Sequence, residues 1–369
     1  MIKDIIDAKK EVILAGERLL ESGLIARTWG NISARISDTQ FVISPSGRDY
    51  NKLTPEDIVL CNIADASWEG DVKPSSEKGV HAAVYRLRPE ANFVIHTHQD
   101  FATDLSVLGR QFHLTLSDQT IKDKLGPYIP TAAYALSSTK TLEKHVAFCL
   151  GKYPQSRTVL MRNHGTVCLG RDMEEAFDIA QTLEDICRMK MGQILRHELP
   201  EPLGAGAVAA GRYAKAYHRD IHEEYDEHYL IFDNPKIGCV VEVKSPFIVA
   251  MSLLTRRMRV YVDDLAQIAG TTITCLPADT SDRQIARHLG GESGAVMISG
   301  RGAVCAAANE EDAEAVAMVL DKGCQAALLA RAVKDHPLGR TTKAVGRAGG
   351  NLEHLVYTKK YSKLKDRED

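Results

Sequence analysis

ANFVIHTHQDFATDLSVLG, residues 91–109, is the stretch from which the rest of the chain is read. Branched and aromatic residues fill its first half, the composition of a strand, and DFATDLSVLG then has helical spacing with Gly109 as its stop. Alternate side chains of a strand share a face, so His96 and His98 point one way and Ile95 and Thr97 the other. Two imidazoles ~6.5 Å apart along one face can converge on a single cation. Taken alone, the pair reads more readily as two polar residues on the wet face of an edge strand.

Strands and helices alternate outward from this stretch. Residues 3–22 carry Ile5, Ile6, Val12, Ile13, Leu19 and Leu20 at helical spacing, with Gly23 as a C-terminal stop. TWGNISARI (28–36) is turn chemistry running into a strand, and QFVISPSG (40–47) is a strand ending in a Ser/Pro/Gly loop. LTPEDIV (53–59) offers Thr54 as an N-cap and Pro55 at N1, so a short helix is expected there. KPSSEKGVHAAVYRLRP (73–89) reads as a helix capped by Ser75 or Ser76. A capped helix (137–151), a strand hairpin TVLMRNHGTVCLG (158–170) and a long amphipathic helix (172–195) follow. No strict parallel βαβ rhythm runs through them. The expected class is α/β, in three α/β/α layers around a mixed or antiparallel central sheet.

Two further residues extend the histidine pair. Glu77 follows Ser75 and Ser76 at a helix start, and His164 sits in the RNHGT turn of the hairpin. Three His and one carboxylate make a natural inventory for a divalent transition metal, zinc above all. Each also has an ordinary role: an acid favoured in a first helical turn, or a turn residue in Asn-His-Gly. The clusters Thr28-Trp29-Gly30-Asn31, Ser46-Gly47 and Ser75-Ser76 offer hydroxyls and backbone N–H groups of the kind that cradle an anion, or that simply cap and turn the chain.

Taken together and in order, these motifs resemble the class II aldolase/adducin family, over roughly residues 3–198. The pattern is a T-x-G-N loop, an S/T-G loop, S-S-E at a helix start, H-x-H on a strand and a later H-G turn. The resemblance implies a class II aldolase-like fold. It implies a metal site of His96, His98 and His164 with Glu77 completing the shell and acting as acid/base. It also implies a substrate-phosphate pocket of Thr28, Gly30, Asn31, Ser46, Gly47, Ser75 and Ser76. Zn2+ is the expected ion, with Mn2+, Co2+ or Fe2+ as alternatives. Tyr134, in IPTAAYALSST, stands where family aldolases carry a proton-donating Tyr, although the Gly usual after it is missing. Tyr225 and Tyr229 lie where family members supply a Tyr to a neighbouring subunit.

The implied activity is that of a metal-dependent lyase. It would cleave a C–C bond of a small, phosphorylated hydroxy-carbonyl sugar by a retro-aldol step through a metal-stabilised enediolate. Decarboxylation of a keto acid shares that intermediate. A pentulose-phosphate epimerase or dehydratase and a non-catalytic adducin-like scaffold are the alternatives. Glu rather than Asp at 77 leans away from the epimerase, and the intact ligand set leans away from the scaffold.

The chain continues past the length of one family unit, and the remainder looks like a shortened copy. VIHTHQDFATDLS (94–106) aligns with VVEVKSPFIVAMS (240–252), and VLMRNHGTVCLGRDMEEA (159–176) with VMISGRGAVCAAANEEDA (296–313). His96, His98 and His164 become Glu242, Lys244 and Arg301. Those three cannot hold a divalent cation, but could form a salt-bridge cluster. The expected division is a metal-binding catalytic domain (1–205), a connecting segment (206–234), a degenerate repeat without ligands (235–335) and a charged tail (336–369). The repeat and the family resemblance together imply a homo-oligomer, a dimer of two-repeat chains forming a pseudo-fourfold ring, or a higher assembly.

Composition sets the outer bounds. A net charge of −3 gives no bulk attraction to nucleic acid, and no run approaches the ~20 apolar residues of a membrane span. The first twenty residues are amphipathic with acids among them, unlike a secretory or mitochondrial leader, so a cytoplasmic location is expected. The eight cysteines form no CxxC pair and read as buried, reduced thiols. The expected partner is a small molecule, a sugar phosphate or keto acid.

Overall fold

The computed structural model describes residues 4–25, 29–114, 119–221, 229–289 and 294–334. Thr28, Tyr225 and the expected charged tail lie outside the described residues. The chain divides into two compact units, Met1–Ile194 and Leu195–Asp369. No helix among the described residues is long and apolar enough to cross a membrane.

The first unit runs α1 (Ile5–Ser22), β1 (Gly30–Arg35), β2 (Gln40–Ile43), β3 (Val59–Asn62), α2 (Lys78–Leu87), β4 (Phe93–Thr97) and α3 (Asp100–Ser106). It continues with β5 (Phe112–His113), α4 (Gln119–Leu125), β6 (Tyr128–Ile129), β7 (Thr131–Ala132), α5 (Lys140–Lys152), β8 (Thr158–Met161), β9 (Gly165–Gly170) and α6 (Met173–Leu195). Seven strands form one sheet in the order β3-β2-β1-β4-β9-β8-β7. Every pairing is antiparallel except β7 with β8, so the sheet is mixed. Alternation divides the faces. Val94, Val167 and Leu169 join Val80, Val84, Leu142 and Val146 of α2 and α5 in one apolar core. His96 is on that same face, two residues after Val94, and so faces the start of α2. Helix α1 covers β1 and β2, and α3 covers β8 and β9.

Two local readings of the sequence give way. Residues 54–57 form a turn and no helix, because the Asp57 carboxylate accepts both the Thr54 N–H and the Thr54 hydroxyl, each at 2.9 Å. That closes one turn, and the chain extends at once into β3. The N-cap of α2 is Glu77, not Ser75 or Ser76; the Ser75 hydroxyl instead accepts the Glu77 N–H at 3.2 Å. The Glu77 carboxylate makes no capping bond and is left for other work.

The second unit runs β10 (Ala214–His218), β11 (Cys239–Val243), α7 (Pro246–Leu254), β12 (Arg257–Arg259), α8 (Asp263–Ala269), β13 (Thr272–Leu276), α9 (Asp282–His288), β14 (Gly294–Ile298), β15 (Gly302–Ala307) and α10 (Glu310–Ala332). Its sheet order is β10-β11-β15-β14-β13-β12. Read as β1-β4-β9-β8-β7, the first five strands repeat the first unit, including the parallel pair, here β13 with β14. Counterparts of α1, β2, β3 and α2 are missing among the described residues. Strand β10 lies inside 206–234, so that segment does more than connect.

Register follows the aligned sequences. His96 pairs with Val167, and Glu242 with Val304. The hairpin turn repeats atom for atom. Asn163 and Gly300 both take left-handed backbone, φ 63° and 69°. Their N–H groups donate to the Ser106 and Ser252 hydroxyls, each at 3.0 Å. His164 N–H and Arg301 N–H close the two turns on Met161 and Ile298 carbonyls, each at 3.0 Å. The long helices α6 and α10 place Glu184 and Asp321 alike. Glu184 accepts the N–H groups of Phe101 and Ala102 at the start of α3. At the start of α7 the Ile248 N–H donates to the Ser245 hydroxyl, and Asp321 accepts the Ser245 hydroxyl and the Leu203 N–H instead.

Candidate functional site

Four side chains distant in sequence meet at the end of β4. The ligand atoms of His96, His98 and His164 all lie within 4.8 Å of one another, and all three residues are buried. The Nε2 atoms of His96 and His98 are 3.0 Å apart. Glu77 reaches in from the start of α2, Oε2 to His96 Nε2 at 2.9 Å and Oε1 to His164 Nε2 at 3.0 Å. The His96 and His164 rings stack with centroids 5.2 Å apart, and His98 meets both edge-on. His96 Nδ1 lies 2.8 Å from the Thr166 carbonyl, which fixes Nδ1 as the protonated nitrogen and turns Nε2, the ligating face, inward.

This donor set fits a divalent cation. Tetrahedral bonds of 2.0–2.1 Å separate ligand atoms by ~3.3 Å, close to the contacts seen. Burial alone would raise the Glu77 carboxyl, but the His96 and His164 rings against its oxygens hold it well below the ordinary value. Space for the cluster is secured by glycine. A Cβ at Gly165 would lie 2.4 Å from the Thr97 carbonyl oxygen and 3.1 Å from the His96 ring; one at Gly30 would lie 2.8 Å from the His96 carbonyl oxygen.

The expected anion loops lie beside Glu77. Ser46 N–H donates to the Lys73 carbonyl and Ser75 N–H to the Ser44 carbonyl, each at 3.0 Å, which zips the loops of Ser46-Gly47 and Ser75-Ser76 together. Gly47 has φ 69°, a turn that favours glycine. Asn31, opposite His96 in register, donates from Nδ2 to Glu77 Oε2 at 3.4 Å. Thr28 precedes the described β1 segment. Tyr134 is half-buried in the stretch between β7 and α5. That stretch is tied to the site where Ser138, itself at φ 63°, donates to the Ser76 hydroxyl at 2.7 Å. Ser76, Glu77 and Ser138 line one cavity of about 280 Å³ with Trp68, Lys78 and Lys140.

Sequence reasoning missed His81, Ser33 and Tyr85, which form a buried polar row behind Asn31. A signal was present: residues 77, 81 and 85 share one stripe of α2, and a polar stripe on a buried face needs partners.

The equivalent place in the second unit holds no such set. Lys244 Nζ is 3.3 Å from Glu242 Oε1, and the Tyr217 hydroxyl is 3.5 Å from Glu242 Oε2. Arg301 does not join them; it is exposed and donates to the Ala278 carbonyl at 3.4 Å. The expected three-membered cluster is thus an ion pair. The eight cysteines are free and buried, without a disulfide.

The family model of the class II aldolase and adducin N-terminal domain matches residues 10–191 and again 206–328. The chain is 34% identical over 177 residues to a 5-deoxy-D-ribulose 1-phosphate aldolase of Bacillus thuringiensis serovar kurstaki, covering 48% of this chain and 80% of that protein. It is 36% identical over 161 residues to a methylthioribulose-1-phosphate dehydratase of Klebsiella pneumoniae subsp. pneumoniae, covering 42% and 80%. A solved L-fuculose 1-phosphate aldolase aligns at 29% identity and TM-score 0.47, over 53% of this chain and 91% of that one. With both segments matched, the chain belongs to the class II aldolase and adducin N-terminal domain family.

Proposed function

We propose that the protein is a metal-dependent lyase that cleaves a C–C bond of a small phosphorylated hydroxy-carbonyl compound. The observation that carries this reading is the convergence of His96, His98, His164 and Glu77 beside the zipped serine loops. When bound, a divalent ion supplies Lewis acidity to a carbonyl and its neighbouring hydroxyl. His96, His98 and His164 would hold it, with Glu77 completing the resting shell.

The chain's own groups do the rest. Glu77, held ionised, takes the proton of the hydroxyl whose carbon loses its bond, and that proton then restores Tyr134 after Tyr134 has given up its own, so one proton leaves the substrate and one returns. Thr28, Gly30, Asn31, Ser46, Gly47, Ser75 and Ser76 supply the phosphate pocket, chiefly through side-chain hydroxyls and the Asn31 amide, since the Ser46 and Ser75 N–H groups are given to carbonyls. Tyr134 donates a proton on the leaving-group side. Residues 1–205 carry this chemistry, and 235–335, with Glu242, Lys244 and Arg301, carry none of it. The functional assembly is a homo-oligomer, and sedimentation of a stable, active monomer would overturn that part. The similarity to a methylthioribulose-1-phosphate dehydratase supports a second reading, loss of water from a ketose phosphate with Glu77 again as the base.

The deciding experiment is a screen of phosphorylated ketoses and 3-keto acids, with metal content measured alongside. Wild type should cleave one of them, and Glu77→Gln should lose at least about 100-fold in turnover while retaining metal on its three histidines. A metal-loaded wild type inert towards every compound, or a fully active Glu77→Gln, sinks the reading.

A further inference from the structure

Behind Glu77 lies a row of polar side chains of which the chemistry above uses only Asn31. Asn31 Oδ1 is 2.5 Å from His81 Nε2. His81 Nδ1 is 2.7 Å from the Ser33 hydroxyl, and that hydroxyl is 2.7 Å from the Tyr85 hydroxyl. All four residues are buried. Asn31 and Ser33 share one face of β1, and His81 and Tyr85 lie one and two turns after Glu77 along α2. The row is therefore the seam between a strand and a helix, and it ends on Glu77.

Its hydrogens run one way. Oδ1 of an amide only accepts, so His81 Nε2 carries the proton. Burial pushes the His81 pKa down to about 3, so the ring is neutral and Nδ1 accepts from Ser33. Ser33 in turn accepts from Tyr85. Every donor then faces Glu77, and the Asn31 amide has one orientation, with its NH2 towards the carboxylate. Glu77 makes no capping bond to its own helix, so an outside donor is what keeps it from turning away.

We propose that His81 is a positioning residue: its Nε2–H locks the Asn31 amide, and the amide holds the Glu77 carboxylate in the rotamer that reaches His96 and His164. This rests on Glu77 belonging to the metal centre, as in the lyase reading. Second-sphere groups of this kind orient ligands and support metal affinity.

The first test needs neither metal nor substrate. In 15N-histidine-labelled, metal-free protein, His81 should show a protonated Nε2 and an unprotonated Nδ1, unchanged from pH 5 to 8. A proton on Nδ1, or a ring that titrates in that range, overturns the proposal. The signals are assigned by their loss in His81→Gln or, should that variant not fold, by their shift in Ser33→Ala. The second test compares two variants. A Gln amide nitrogen stands near the place of Nε2, an Asn amide nitrogen near that of Nδ1. Zn2+ affinity by chelator competition should fall about 10–100-fold in His81→Asn and stay within about threefold of wild type in His81→Gln. Equal losses in both variants, or none in either, overturn it in favour of plain packing. Neither readout involves turnover, so an inert substrate screen and a failed His81 test are separate results.

Discussion

His81 and Asp321 bring opposite pH dependence into the two units. Burial holds the His81 ring neutral, with its pKa pushed down to about 3. An unfolded histidine takes up its proton near pH ~6.5, so below that pH the unfolded state binds more protons than the native one. The stability of the first unit should fall as pH drops from ~6.5 towards about 3, by up to ~1.4 kcal/mol per pH unit, and His81→Gln should remove that slope. Asp321 has the other sign. Burial raises its pKa to about 6, above the ~3.9 of an unfolded aspartate. Its contribution is complete below ~3.9 and is lost as pH rises through about 6, so Asp321→Asn should flatten the loss on that side. Urea midpoints between pH 4 and 8 measure both slopes. At this scale the sequence revealed some residues and hid others. His96 and His98 were legible because a period of two puts them on one face. The Asn31–His81 contact spans 50 positions and leaves no local mark, so only the fold discloses it.

Strand hairpins and long helices were the elements best read in advance, because their signals are local: alternation, turn residues and a 3.6-residue stripe. The two-residue strands β5, β6 and β7 are too short to show a period, and the Thr54 segment had a helix's opening residues without room for a helix. The β8–β9 turn makes a prediction of its own. Gly165→Ala forces a Cβ to 2.4 Å from the Thr97 carbonyl oxygen and against the His96 ring, so it should cost about 1–3 kcal/mol and abolish metal binding together. Gly302→Ala, at φ 117° and 2.1 Å from the Val243 carbonyl oxygen, should destabilise the second unit with metal content unchanged. Ser106→Ala and Ser252→Ala remove the same turn bond from each unit and should each cost ~1 kcal/mol. Denaturant melts with elemental analysis of each variant separate these outcomes.

Among the described residues the chain carries one three-histidine ligand set on two versions of a scaffold. Zn2+ in thousandfold excess over its Kd should stabilise the first unit by ~4 kcal/mol and leave the second unchanged, which calorimetry with and without chelator would read as one moving transition and one fixed. Because register and turn geometry are retained, Glu242→His, Lys244→His and Arg301→His combined should bring three imidazoles together and raise metal content towards two ions per chain. The shared hairpin also bears on how the polypeptide reaches its native state. Strands β4 and β11 present the same pairing edge at the same register to partners of similar shape, so a nascent chain could join β11 to β9 and trap a hybrid sheet. In that hybrid Glu242 would take the place of His96 against the Glu77 carboxylate, and Val243 would face Thr166 in place of Ala303, which penalises the mispairing. Divergence between the halves thus serves as insulation during synthesis, and a chain with two identical hairpins should refold in lower yield.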